Sequence, residues 1–417
     1  MPGLLYPAYQ KFYNALSNLE RFNKEANFFD NISCLDNFFS EYRSITFVMQ
    51  KSLKHTEYFE VYEKNRDIFL TDHWFVVKRN ETEKQQPFQL VKDIIITTYL
   101  PYHGFQIGEA TFTVENDISL RTLYDDIRKE LSKSNAPEIF FSVSYSFHEK
   151  DSEIDLLKKL LSGTSSMQQF LEAMDQSIGE KCLLCEQIKD KMNSIRFSQM
   201  PCDFLLTDDY VFYTDSGTFE RGGRAAMLME ANGQRLLSHR PITELTNAKY
   251  FNFDKTPFGS FTLMHASLRF NKPGSDIMPA FMIVYVDGTY DMEVFHADMK
   301  TTFYRKFNET AQLVKEKDVQ EVCFMGLYAV APLNDTTSEI SNERVKASTA
   351  DILVCASIDN QLREKEYVFD GKEMEQPAYV ADVMKTGMSN HLNCCRTNFY
   401  PIWKAFKEKY DKTAGDK

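Results

Sequence analysis

The chain has 417 residues, of which 43% are hydrophobic and 26% charged, and its formal net charge is −12. This length predicts two or three domains at ~100–200 residues each, and the hydrophobic fraction excludes a largely disordered chain. No apolar run approaches the ~18 residues that a membrane span needs, so we expect no membrane partner. Because an acidic surface repels phosphate backbones, we expect no extended DNA binding.

The N-terminal segment and the cysteines indicate a reducing compartment. The first residues, MPGLLYPAYQ, lack the basic start, apolar run and cleavage site of a secretory signal. The eight cysteines are scattered along the chain, which is typical of free thiols rather than of a disulfide framework. We therefore predict a cytoplasmic protein.

The first hundred residues show helical periodicity in four successive segments. Apolar residues recur at spacings of three and four over residues 9–26 and 35–53, and more weakly over 58–70. A fourth segment opens at Trp74 and ends before Pro87, because the residue before a proline avoids the helical conformation. Four amphipathic helices in a row predict a bundle.

Residues 93–147 change to a β-type pattern. Strand-like runs occupy 93–100, 109–114 and 138–147, and a short helix is predicted at 120–131. Helical periodicity returns at residues 152–196, with a break predicted at 163–166 and a long apolar stripe over 167–195. We therefore assign residues 1–198 to a helical bundle with a β-rich insertion near 93–147.

Residues 199–417 are predicted to form a separate mixed α/β domain. Helices are expected at 301–317 and 379–410. Strand-like runs lie at 202–206, 210–213, 261–270, 280–287, 292–296, 319–330 and 351–357. The predicted fold class is therefore α+β, with an N-terminal helical bundle that carries a small β insertion and a C-terminal mixed α/β domain.

Three segments carry a family resemblance. Residues 35–50, LDNFFSEYRSITFVMQ, resemble the second helix of bacterial HEPN-like proteins (higher eukaryotes and prokaryotes nucleotide-binding), which carries Arg-Ser-x-Thr-Phe-x-x-Gln. A Trp-containing segment follows at 72–75, and Arg79, Asn80 and Lys84 come after it. HEPN ribonucleases carry Arg, a polar residue such as Asn, a few variable residues and His, and Lys84 stands where that His would fall. The resemblance covers residues 1–95, with 150–198 as a candidate extension.

The resemblance implies a function and also argues against its usual form. HEPN ribonucleases cleave RNA without a metal, often in toxin or phage-defence settings, and they dimerise. Arg79 retains the ability to hold a phosphate bidentately. Lys84 is a poor base, because lysine titrates near ~10.4 unless burial lowers its pKa. The resemblance therefore implies a non-catalytic binding and assembly protein that contacts RNA or a nucleotide and forms a homodimer through its bundle, without a cofactor or metal.

The alternative function is a variant metal-independent ribonuclease that uses Arg79, Asn80 and Lys84 as catalytic residues. Arg79 and Asn80 are equally compatible with a surface pair that caps or bridges helices. In the second half of the chain, a glycine-rich segment at 217–225 contains Arg221 and Arg224, which we predict to contact phosphate or nucleotide. The alternative there is a flexible hairpin loop, because the segment does not match a P-loop.

The remaining candidates involve cysteine and histidine. Cys182 and Cys185 have C-x-x-C spacing, but the predicted stripe places both on one apolar helix face, which favours core packing over zinc binding. Redox chemistry would need a helix N-terminus there. Two further groups are either structural or chemical in role, and these are His391 with Cys394 and Cys395, and His265 with His296 and Asp298.

Overall fold

The computed structural model describes residues 3–24, 27–101, 103–115, 120–195, 207–222, 235–246, 255–271, 278–330, 343, 348, 350–370 and 397–414. Helices come first and antiparallel sheets later, which confirms the predicted α+β class. Two compact units are present. One comprises residues 1–95, 111–125 and 144–207, and the other comprises 96–110, 126–143 and 208–417. The β-rich segment, assigned above to the first domain alone, thus contributes to both units.

The four predicted N-terminal helices are confirmed. They are α1 (Tyr6–Arg21), α2 (Phe28–Leu53), α3 (Phe59–Phe69) and α4 (Trp74–Lys84). The side chain of Asn27 accepts hydrogen bonds from two amides in the first turn of α2, which satisfies donors that a helix start leaves open. The apolar faces of α1 and α2 are buried against each other, so packing of these faces stabilises the bundle.

The second helical segment is interrupted at a different place from the one predicted. A single helix, α6 (Leu156–Ile178), runs through the predicted break at 163–166, and α7 (Leu183–Asn193) is separate from it. Gly163 lies inside α6 with the ring of Phe75 packed directly on it, and a Cβ at this position would lie 2.0 Å from Phe75 Cζ. Helix α6 ends instead at Gly179, whose φ of 63° is left-handed.

The β-rich segment contains the predicted elements. These are β1 (Leu90–Tyr99), β2 (Gln106–Val114), α5 (Leu120–Leu131) and β3 (Glu138–Glu149). Strands β1, β2 and β3 form a five-stranded sheet with β4 (Asp208–Tyr213) and β5 (Thr218–Arg221), in the order β2-β1-β3-β4-β5. Strand β3 pairs with β4 in antiparallel register, with Phe140 opposite Val211.

The second unit contains a six-stranded antiparallel sheet in the order β11-β10-β9-β7-β8-β6. Its strands are β6 (Arg235–Pro241), β7 (Ala280–Tyr285), β8 (Thr289–Val294), β9 (Val319–Val330), β10 (Ala350–Asp359) and β11 (Glu364–Asp370). Alternate residues of β7 enter two different apolar clusters, so both faces of the sheet are covered. The helices of this unit are α8 (Ile242–Thr246), α9 (Pro257–Asn271), α10 (Lys300–Glu316) and α11 (Tyr400–Ala414).

The predicted strand at residues 261–270 is wrong, because this segment lies inside helix α9. Phe261, Thr262, Leu263, His265 and Ala266 are all buried. A helix that is buried on several sides shows no 3.6-residue alternation, and a short apolar run of this kind cannot be told from a buried strand by periodicity. The predicted strand at 202–206 and most of the predicted helix at 379–410 lie outside the described residues.

Candidate functional site

A cavity of about 540 Å³ lies within the helical unit. This volume falls in the ~300–1,000 Å³ range of small-molecule pockets. Four helices and the segment that follows α3 supply its walls. The lining residues are Tyr42, Arg43, Thr46, Phe47, Gln50, Tyr62, Arg66, Asp67, Phe69, Leu70, Thr71, Asp72, His73, Phe75, Val76, Ser162, Gly163, Ser166 and Met167.

One face of α2 supplies a cation that rests on an aromatic ring. Arg43, Thr46, Phe47 and Gln50 have the spacing i, i+3, i+4, i+7, which places them on the same side of the helix. The Arg43 guanidinium donates to the Thr46 hydroxyl and lies 4.2 Å from the centroid of the Phe47 ring. This ring is 48% exposed, although phenylalanine is usually buried. The helix thus presents a positive charge and an accessible aromatic face side by side.

The charge of Arg43 has no carboxylate partner among the described residues. Burial lowers the pKa of Arg43, and the nearby charges of Arg79 and Arg66 act in the same direction. The guanidinium nevertheless stays protonated at neutral pH, because arginine does not titrate there. A half-buried and uncompensated cation is unfavourable in the free protein, so an anion in the cavity would be stabilised by it.

Other polar groups of the cavity are already engaged. Arg66 donates from Nε and Nη2 to Asp67 Oδ1 at 3.0 and 2.9 Å, and Asp72 pairs with Lys159 at 2.7 Å. The hydroxyl of Tyr62 donates to the Thr46 carbonyl at 3.2 Å. These bonds hold the walls in place and leave Arg43 as the cation with capacity for a new partner.

The cavity also contains a histidine that the sequence analysis missed. His73 is exposed and lines the cavity at the residue that precedes α4. Arg66, Asp67 and His73 follow the order of arginine, polar residue and histidine described above, with five residues between Asp67 and His73. The resemblance places the histidine position after Arg79, whereas the structure brings His73 and Arg66 to one cavity.

The residues predicted from the resemblance lie elsewhere. None of Arg79, Asn80 and Lys84 lines the cavity. Arg79 forms an ion pair with Glu83 at 2.5 Å and donates to Asn80 Oδ1. Lys84 is exposed, makes no hydrogen bond or ion pair with another described residue, and projects ~140° around α4 from Arg79. The helix therefore directs these cations to different sides.

Arg221 lies in strand β5 rather than in a flexible loop. Its Nη2 donates to Asp208 Oδ1 at 3.0 Å, and the Asp208 side chain is 1% exposed. The arginine thus compensates a buried carboxylate within the β4–β5 hairpin. Arg224 lies outside the described residues.

The structure describes some of the cysteine and histidine candidates, and others lie outside the described residues. His265 is buried in α9, where its Nδ1 lies 2.9 Å from the Phe261 carbonyl, and burial lowers the pKa of His265 to about 4. His296 is partly buried, and no described residue forms a hydrogen bond with its Nδ1. Within the described part of the chain, no group of three or more His, Cys, Asp or Glu side chains is placed to hold a metal. The group of His391, Cys394 and Cys395 lies outside that part.

The structure corrects the prediction that Cys182 and Cys185 share one apolar helix face. Cys182 is not on a helix face but is the N-cap residue of α7, so the pair does lie at a helix N-terminus. The thiol of Cys185 is buried.

No protein-family model, curated protein or solved structure matches the chain. No helix among the described residues has the length and apolar character needed to cross a membrane.

Proposed function

We propose that the helical unit binds a nucleotide unit of RNA in the cavity and acts by binding rather than by chemistry. The observation that supports this most directly is Arg43, a half-buried cation that has no carboxylate partner in the described part of the chain and lies on an exposed aromatic ring in a cavity of ligand size. A phosphate and a base offer the two complementary surfaces.

The phosphate is the partner for Arg43. A guanidinium binds phosphate oxygens through two parallel hydrogen bonds, and such charge-assisted bonds contribute ~1.5–3 kcal/mol each. Burial and, to a smaller extent, the neighbouring charges of Arg79 and Arg66 lower the pKa of Arg43, and a bound anion offsets the repulsion between these cations. Binding therefore relieves an unfavourable interaction of the free protein as well as forming new bonds.

The base is the partner for Phe47. Stacking of a base on an aromatic side chain contributes ~1–3 kcal/mol and tolerates any base, because every base has a π-face. Gln50 lies one turn further along α2 and lines the same cavity, so its amide is available to the edge of a stacked base. The site accordingly favours single-stranded RNA over a duplex, in which the bases are covered.

The charge balance limits the contact to few phosphates. Residues 1–100 contain 12 Lys and Arg against 13 Asp and Glu, and the whole chain carries −12. For single strands the logarithm of the affinity falls with the logarithm of salt concentration at ~0.7 per phosphate neutralised. We therefore expect a shallow salt dependence, with a slope of ~−0.7 to −1.4, corresponding to one or two phosphates.

The test is calorimetric titration of the full chain with a short 2′-O-methyl RNA of mixed sequence, which a ribonuclease of this kind cannot cleave. Arg43→Gln should weaken binding ~10-fold or more, which is the loss of one charge-assisted bond. Lys84→Gln removes a cation from the same unit outside the cavity and should leave the affinity unchanged. Equal losses in the two variants, or none in Arg43→Gln, refute the proposal.

A homodimer formed through the helical bundle is part of this proposal, on the strength of the family resemblance. Sedimentation equilibrium of the full chain tests it. A monomer at every concentration contradicts the dimer but leaves the cavity proposal intact.

A second candidate function, metal-independent RNA cleavage, is favoured by the placement of His73. An imidazole titrates near neutrality and can take the proton of a ribose 2′-hydroxyl or give one to the leaving oxygen. His73 lines the cavity together with Arg43 and Arg66, and Arg66 has to release Asp67 before it can hold a phosphate. In this candidate, His73 and Arg66 take the roles that the resemblance suggested for Lys84 and Arg79.

Unmodified RNA of the same sequence distinguishes the two functions. If the protein cleaves RNA, His73→Ala should abolish cleavage and leave binding of the 2′-O-methyl RNA unchanged. Intact RNA after prolonged incubation with the wild-type chain rules out cleavage, and the binding proposal then stands alone.

A further inference from the structure

The start of helix α7 places two thiols in contact at a helix N-terminus. The sulfur of Cys182 accepts hydrogen bonds from the Cys185 amide at 3.4 Å and from the Gly3 amide at 3.2 Å. The thiol of Cys185 is also hydrogen-bonded to this sulfur. The pair is separate from the cavity described above, because neither cysteine lines it.

These contacts make the two sulfurs chemically unequal. The pKa of Cys182 is lowered by the hydrogen bond from the Cys185 thiol and by the amides that point at its sulfur, in opposition to burial. The partial positive charge of the N-terminus of α7 acts in the same direction. Burial raises the pKa of Cys185 to about 12, and the neighbouring Cys182 adds to this. The environment therefore favours the thiolate form of Cys182 and the protonated form of Cys185.

We propose that Cys182 and Cys185 form a thiol–disulfide exchange site that takes small organic disulfides as oxidants, with Cys182 as the attacking group and Cys185 as the resolving group. The Cys182 thiolate attacks one sulfur of the disulfide, whose S–S bond breaks, and the first thiolate leaves and takes up a proton. Cys185 then loses its proton and attacks the Cys182 sulfur, which expels the second thiol. Two protein thiols are oxidised to one internal disulfide, and one small disulfide is reduced to two thiols.

The segment at Gly3 controls access to the pair. A Cβ on Gly3 would lie 2.8 Å from Cys182 Cβ and 3.0 Å from its sulfur, so this backbone lies directly against the thiol. The Leu4 amide donates to Glu180 at 2.7 Å and ties the segment to the start of α7. Cys182 is 7% exposed, and exchange therefore requires this segment to move away from it.

Peptide mapping of the full chain tests the proposal. The reduced protein is incubated with glutathione disulfide, its free thiols are alkylated and the chain is digested with trypsin, which releases residues 182–189 as one peptide containing both cysteines and no other. We expect this peptide to carry an internal disulfide. Cys34, which is buried and whose pKa is raised by burial, should remain a free thiol and be alkylated only after unfolding. A peptide that stays fully reduced overturns the proposal.

Serine variants separate the two roles. Cys185→Ser should trap glutathione on Cys182, because no resolving thiol remains. Cys182→Ser should leave Cys185 unmodified. Equal reaction in the two variants contradicts the assigned order of attack. A third measurement needs no substitution. In the wild-type chain, the pH at which Cys182 is half-alkylated, read from the peptide 182–189, should lie below the ordinary thiol pKa of ~8.5. A midpoint at or above that value also overturns the proposal.

Discussion

Replacement of Gly163 by alanine tests how the cavity wall is built. An alanine Cβ would lie 2.0 Å from Phe75 Cζ, 2.4 Å from Cε2 and 2.9 Å from Cε1, whereas non-bonded carbons lie at ~3.5–4.0 Å. The Phe75 ring must therefore move by more than 1 Å, as ~3.5 Å is the nearest favourable separation. That ring is 3% exposed and is surrounded by Phe38, Tyr42 and Trp74.

Two opposing terms give the magnitude. Alanine is favoured over glycine within a helix by ~1 kcal/mol. Overpacking of a filled core costs ~1–3 kcal/mol, and the short distances at Phe75 place Gly163→Ala at the upper end. We expect a net loss of ~2 kcal/mol in the free energy of unfolding, which lowers the melting temperature by several degrees at ~2–4 °C per kcal/mol.

Thermal and urea unfolding followed by circular dichroism measure this loss. Ser165→Ala is the matched control, because Ser165 is exposed in the same helix and its replacement should be neutral or stabilising by up to ~0.5 kcal/mol. Phe75 lines the cavity, so its displacement should also weaken RNA binding. If Gly163→Ala is as stable as the wild-type chain, the close packing of α6 on Phe75 is wrong.

Three further predictions concern buried groups. The folded chain holds the pKa of His265 at about 4, whereas the unfolded chain takes up this proton near 6.5. The free energy of unfolding is therefore unaffected by this group above pH 6.5 and falls by ~3 kcal/mol in total as the pH drops from there through 4. Urea unfolding at several pH values should show this fall and should show it reduced in His265→Gln. Asp209→Asn removes the bidentate carboxylate of the buried Arg305 guanidinium, which keeps its ion pair with Glu309, and should therefore cost ~3 kcal/mol in chemical unfolding, the lower end of the range for a broken buried pair. A loss below ~1 kcal/mol, the range of an exposed pair, contradicts the assigned contact. Gly3→Ala displaces a donor from Cys182 and should raise the pH at which this thiol is half-alkylated, and an unchanged midpoint means that the Gly3 amide does not stabilise the thiolate.

The candidate site was readable in part from the sequence. The spacing of Arg43, Phe47 and Gln50 along a predicted helix shows that they share one face, and an exposed-face phenylalanine beside an arginine is a usable signal. That this face opens on a cavity requires the positions of α3, α4 and α6, which local periodicity does not contain. The family pattern was placed on Arg79 and Lys84, whereas His73 joins Arg66 only because the segment after α3 turns back to the cavity.

For the Cys182–Cys185 pair, the periodicity of the sequence leads to a wrong prediction. The apolar stripe over residues 167–195 continues without interruption, so periodicity alone predicts one helix with both thiols on its buried face. The left-handed turn at Gly179 divides it, and Cys182 becomes a helix cap instead of a core residue. A single glycine within a helical pattern does not reveal whether it will pack, as Gly163 does, or break the helix, as Gly179 does.

By itself, the sequence determined the elements whose signal is local. Helices α3 and α4 and strand β9 lie within a few residues of their predicted bounds, because their composition and apolar spacing are typical of these elements. Helices α1 and α2 form where they are predicted but begin three and seven residues earlier, at Tyr6 and Phe28. Tertiary structure alone decided the helical state of residues 257–271, the strand orders and the lack of a carboxylate partner for Arg43 among the described residues. The physical reason is that burial on all sides erases periodicity, and that the partners of a charge depend on which distant residues the fold brings beside it.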